Sequence, residues 1–261
     1  MEGEESEKFK QDLQQIADML LLNGTLTECP GLAHGKMGIA VFFFHYAKYT
    51  GNELFADYAM DLIGEMLNQI HVNSPADYEK GIAGIGVGID YLIRNDFLKV
   101  EDDICEDFDP RMIRAVMYDP WQDFSLYEGL TGYGRYWISR LHYQAPSVQA
   151  RECLLRILAL MEERLPDISE TEQSDMYCFL YDLHNSGFDV ETPFIASLQN
   201  QCCYFNGKRQ DKINVSLTQI PDLDMEKPPE STGLLNGYAG EGMLRLTALN
   251  QTDRSWMNLL L

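Results

Sequence analysis

The sequence predicts an all-α fold, an α/α toroid in which about five helical hairpins close around a packed centre. Three observations carry this. Glycine pairs recur at Gly35/Gly38, Gly81/Gly84, Gly129/Gly132 and Gly237/Gly240. The first two intervals are 46 and 48 residues, and the third, 108, is about two such periods, as in helical repeat architectures. Each pair opens a run that is apolar on every side, and helices with a single apolar stripe alternate with those runs. A helix apolar all round is buried, whereas a striped one lies outside.

The elements follow in order. Residues 6–22 place Phe9, Leu13, Ile16, Leu20 and Leu21 at helical spacing, and Asn23-Gly24 stops the helix. Cys29-Pro30-Gly31 turns the chain into the first inner run, Ile39 to Phe44, which Gly51-Asn52 ends. Residues 53–71 form a striped helix on Phe55, Tyr58, Ala59, Leu62, Ile63, Met66, Leu67 and Ile70. Ile85 to Ile93 is the second inner run; 101–109, with six acidic groups, reads as an exposed segment and 110–117 as a short outer helix. Tyr133 to Leu141 is the third inner run, and 147–165 its striped partner. Asp175 to Leu183 is a fourth inner run that has lost its glycines, with 190–204 outside it. Phe205-Asn206-Gly207-Lys208 resembles a hairpin turn, and Pro221, Pro228 and Pro229 interrupt any helix. An irregular insertion is therefore expected at 205–230 within one domain spanning 1–261. Gly242 to Leu249 is the fifth inner run.

Charge narrows the partners. Twenty basic residues against 41 acidic ones leave a net charge of −21. Nucleic acid and anionic membrane surfaces would be repelled, while a cationic or neutral partner is suited. The acidic start, Met1 to Glu5, leads into no apolar export segment, and six scattered cysteines show no disulfide framework. Free thiols in a cytoplasmic protein are expected.

Glycine at the inner helix starts allows close approach, and a turn there could call for positive φ. Converging helix N-termini would gather unpaired N–H groups at one mouth, a place for an anion or another ligand lined by Gly35, Gly38, Gly81, Gly84, Gly129, Gly132, Gly237 and Gly240. Glu28, Glu79, Glu128 and Glu230 stand near these starts. They read either as a general acid and base pair for sugar or peptide chemistry, or as ordinary first-turn acidity. His34 is the best single polar candidate, as a base or as a capping residue. Cys178, His184, Cys202 and Cys203 could improvise a metal site, although their spacing matches no standard zinc pattern. Tyr78, Trp121, Tyr127, Tyr133, Tyr136, Trp137 and Tyr238 would form either a recognition surface or core.

The segments Gly31 to Ala40, Gly81 to Gly86, Gly129 to Gly134 and Gly233 to Gly240 resemble the glycine repeats of the lanthionine synthetase C-like family. The resemblance runs from about residue 6 to 250 and is weakest over 166–230. Members of that family are α/α toroids of seven hairpins, so the five expected here are about two fewer. In the cyclases of the family, two cysteines and a histidine hold a zinc ion that activates a peptide thiol for addition to a dehydrated serine or threonine. The ligand motifs, Trp-Cys-x-Gly and Cys-His-Gly, do not occur here, and Ala33-His34-Gly35 places alanine where a metal cysteine would stand. The resemblance thus implies a family member without the standard zinc site, a peptide-binding or accessory protein with no cofactor expected. A zinc cyclase with atypical ligands and a carbohydrate-active toroid using paired carboxylates are the alternatives.

Overall fold

The computed structural model describes residues 2–99, 103–143, 148–188, 193–224, 226, 228 and 231–261. Among them ten α-helices form and no strand. They are α1 (Glu2–Asn23), α2 (Lys36–Thr50), α3 (Leu54–Gln69), α4 (Ile82–Arg94), α5 (Asp109–Met117), α6 (Leu130–Tyr143), α7 (Val148–Arg164), α8 (Glu170–Asn185), α9 (Pro193–Thr218) and α10 (Tyr238–Ala248).

Burial sorts them as the apolar pattern predicts. Every residue of α2 from Lys36 to Ala47 is buried, so this helix touches protein on all sides. In α1, by contrast, Leu13, Ile16, Ala17 and Leu20 are buried while the opposite face is wet. Each fully buried Leu, Ile or Phe contributes roughly 1.5–3 kcal/mol of apolar transfer. The helix ends are set locally. Gly51, at φ +69°, closes α2 by donating its N–H to Ala47 O at 2.8 Å, the left-handed cap that glycine adopts without strain. Ser169 opens α8 through a capping box with Glu172.

The inner helices pack α10 on α2, α2 on α4, α4 on α6 and α6 on α8. The circuit continues through α9, which packs on both α8 and α10. This is the adjacency of an α/α toroid. α3, α7 and α1 lie on α2, α6 and α10 in turn, while α5 packs on α7 and α6.

Two expectations need correction. The stretch 205–218 is not irregular: Phe205 to Lys208 lies inside the 26-residue helix α9. A lone Gly207 costs a helix only about 1 kcal/mol, and packing against α8 outweighs the turn signal. Irregular chain begins at Gln219. Positive φ also plays no part in the glycine starts. Gly35, Gly81 and Gly237 are extended, at φ −131°, −106° and −107°. Space is what requires glycine there.

Candidate functional site: the glycine rim and the ring centre

Each glycine pair is wrapped by the loop that precedes it. The first helical amide donates to the carbonyl seven positions earlier: Lys36 to Cys29 at 2.9 Å, Ile82 to Pro75 at 2.9 Å, Leu130 to Asp123 at 3.0 Å and Tyr238 to Ser231 at 2.9 Å. The second glycine of each pair lies against another loop carbonyl. A Cβ on Gly38, Gly84, Gly132 or Gly240 would stand 2.4, 2.0, 2.2 or 2.0 Å from the oxygen of Leu32, Tyr78, Leu126 or Leu234. Real Cβ atoms do not approach oxygen so closely, which accounts for the recurrence. These helix-start amides are thus capped by the chain itself, and the supply of free donors expected for an anion is correspondingly reduced.

The loops then join to one another. Leu235 N–H donates to Ala33 O at 2.8 Å, Ala33 N–H to Glu79 O at 3.1 Å, and Glu79 N–H to Tyr127 O at 3.1 Å. Equivalent positions in successive repeats form one rim. At the fourth repeat, which lacks the glycines, carboxylates take over: Asp175 Oδ2 accepts from Leu126 N–H at 2.8 Å and Glu172 Oε1 from Phe124 N–H at 3.0 Å.

The rim brings two of the expected site residues together. His34 Nε2 meets Glu79 Oε1 at 3.0 Å, and Lys80 Nζ lies 3.6 Å from the same oxygen. The His34 side chain is 39% exposed, enough for its ring to meet a ligand while Glu79 orients it. Glu128 is exposed on the next loop and Glu28 on the first. The contact Glu79 makes is therefore with a histidine rather than with a second carboxylate. Glu230 lies outside the described residues.

The metal candidates separate. Cys178 on α8 and Cys202 on α9 are buried, whereas His184 and Cys203 are exposed. Adjacent helical residues point about 100° apart, and here Cys202 faces the interior while Cys203 faces solvent. Burial pushes the Cys202 thiol up to about 11 and raises Cys178. Among the described residues no three His, Cys, Asp or Glu side chains are placed to hold a metal ion. At His34 the neighbouring Ala33 brings no ligand atom. The two-cysteine, one-histidine donor set of the family's cyclases is not assembled among the described residues.

The ring centre was not foreseen. Residues 255–261 cross it, held by Tyr78, Tyr127 and Arg135. Beside them a cavity of about 340 Å³ is lined by Asp90, Tyr91, Arg94, Ser139, His142 and Asp182, among others. Asp90 Oδ2 lies 3.8 Å from Arg94 Nη1 and 3.9 Å from His142 Nδ1. A polar residue on an apolar inner helix, such as Asp90 in α4, is the signal that could have found this cavity. Of the expected aromatic surface, Tyr78, Tyr136, Trp137 and Tyr238 are core, and Trp121 is 54% exposed.

Residues 3–102 match the family model described as Lanthionine synthetase C-like protein. The lanthionine synthetase C-like match takes in the first two glycine loops and the His34–Glu79 pair, and bears out the resemblance carried by those motifs. No curated protein and no solved structure matches the chain. Among the described residues no helix is long and apolar enough to cross a membrane.

Proposed function

We propose that the chain is a lanthionine synthetase C-like peptide-binding protein, acting in the cytoplasm as a non-catalytic accessory of a lanthipeptide-type modification system. The match over residues 3–102 carries this reading. Charge supports a basic segment in the peptide: the net charge is −21, and Glu28, Glu79 and Glu128 sit on the rim loops. Fields of this sign raise the local concentration of cationic partners and weaken with salt. His34, steadied by Glu79, offers a polar contact at the same rim.

The test is a titration with a fluorescent lysine-rich decapeptide and an acidic decapeptide of equal length. The basic peptide should bind, with affinity falling about tenfold between 0.05 and 0.5 M salt and on Glu79→Gln. Equal binding of both peptides overturns the reading. So does formation of a thioether ring in a dehydrated peptide with stoichiometric zinc that is lost on Cys202→Ala.

A further inference from the structure

The outer layer of the ring is thin between α3 and α7. Only α5 lies there, with 9 residues against 16 in α3 and 17 in α7, and it packs on α7 and α6. On its other side a cavity of about 790 Å³ opens toward the end of α3 and the start of α4. That volume is typical of a small-molecule site. The apolar lining is Leu67, Ile70, Ile82, Ile104, Phe108 and Pro110. Ile82 and Phe108, at 1 and 3% exposure, form the floor. Val72, also in the lining, is 79% exposed and stands at the lip.

The polar part of the lining is cationic, in a chain whose net charge is −21. Arg111 and Arg114, three positions apart on α5, share a helix face and both line the cavity. Arg111 Nε donates to Ser74 O at 3.1 Å. That bond fixes the guanidinium and leaves its two Nη groups to donate elsewhere. Neither arginine makes an ion pair among the described residues. His71 Nδ1 accepts from Asn73 N–H at 3.2 Å, so its Nε2–H is a further donor at the same wall. Two carboxylates also line the cavity. Asp103 is already met by Arg140 Nη1 at 2.7 Å, and Asp107 is exposed to solvent. The balance is two guanidinia against one solvated carboxylate. Because the overall charge opposes any anion, one held here owes its place to these local donors.

We propose that this cavity binds a free aliphatic carboxylate, with the hydrocarbon chain over Ile82 and Phe108 and the head on Arg111 and Arg114. The chemistry is complementary at both ends. A guanidinium presents paired N–H donors that match a carboxylate, and each methylene taken from water raises affinity by up to about fourfold. The site lies in the outer layer, apart from the ring centre and from His34. It is independent of the peptide reading above, and either can fail alone.

The test is a calorimetric titration of the full chain with decanoate, decanol and decyltrimethylammonium. Decanoate should saturate one site and bind at least about tenfold tighter than decanol, with the cationic amphiphile weakest. Octanoate, two methylenes shorter, should bind about tenfold more weakly than decanoate. Arg111→Gln should weaken decanoate about tenfold and leave decanol unchanged. Arg114→Gln should act in the same direction, and its side chain is exposed, so this variant serves even if loss of the Ser74 contact disturbs the fold. Circular dichroism checks both variants. Decanol binding as tightly as decanoate overturns the proposal, as does decanoate binding that neither arginine variant alters. Absence of saturable decanoate binding overturns it too. Capture of the chain by phosphatidylglycerol vesicles, without saturable decanoate binding, replaces the free ligand with a membrane surface and overturns it.

Discussion

The carbonyl oxygen of Leu234 stands 2.0 Å from the point a Cβ on Gly240 would occupy, and Tyr78 repeats this against Gly84 at the same distance. The contact is backbone to backbone, so no rotamer change can relieve it. Gly84→Ala should destabilise the chain by about 2 kcal/mol or more, in the range of overpacked cores. Gly64, exposed on α3 with nothing near its missing Cβ, should respond oppositely. Gly64→Ala should stabilise by roughly 0.5–1 kcal/mol through helix propensity. Urea unfolding of the two variants checks both signs.

Arg245 is fully buried and ties α10 to α1. Its Nε donates to Asp12 Oδ2 at 2.8 Å, and its Nη2 to Pro221 O at 3.0 Å. Glu241 Oε2 also lies 3.3 Å from Arg245 Nη1, so Asp12→Ala would leave the buried guanidinium with one carboxylate in place of two, at a cost of about 1–3 kcal/mol. The double change Asp12→Leu with Arg245→Met also takes the guanidinium away from the buried Glu241 carboxylate and should recover little of that loss. A double-mutant cycle by chemical denaturation measures it.

Asp175 stands in for the missing fourth glycine loop. Asp175→Ala would strand the Leu126 N–H, for a loss of about 1–3 kcal/mol. Asp175→Asn keeps an acceptor oxygen and should cost less. Exchange of the Leu126 amide, followed by NMR, should accelerate in the alanine variant and much less in the asparagine one.

His45 imposes a pH dependence. Its Nε2 lies 2.9 Å from Tyr91 Oη, and burial, with Lys48 adding to it and Asp253 opposing, pushes its pKa down from 6.5 to about 4. Between those values the unfolded chain binds more protons than the folded one. Stability is therefore retained above pH 6.5, falls as pH drops toward 4, and levels off below. His45→Gln removes this contribution. Between pH 7.5 and 4.5 the wild type should lose on the order of 2 kcal/mol more than the variant, as read from urea midpoints at each pH.

The inner placement of α2, α4, α6, α8 and α10 was legible because it depends on local chain, whereas α9, expected outside over 190–204, joins the circuit between α8 and α10. The stripe in α1 and the all-round apolar surface of α2 are periodicities, and burial follows from them. The glycine positions were legible too, and of the two causes the sequence offered for them, close approach holds and positive φ does not: the structure shows a carbonyl where a methyl would be. Gly207 misled because a local turn signal of about 1 kcal/mol yields to packing between α8 and α9. The charge, the missing ligand motifs and the family likeness were likewise properties of the chain alone. Only tertiary structure decided that His34 meets Glu79 and that residues 255–261 lie across the centre. Each of these depends on which repeats become neighbours when the ring closes, and contacts between residues 45 to 181 positions apart leave no periodic trace in the sequence.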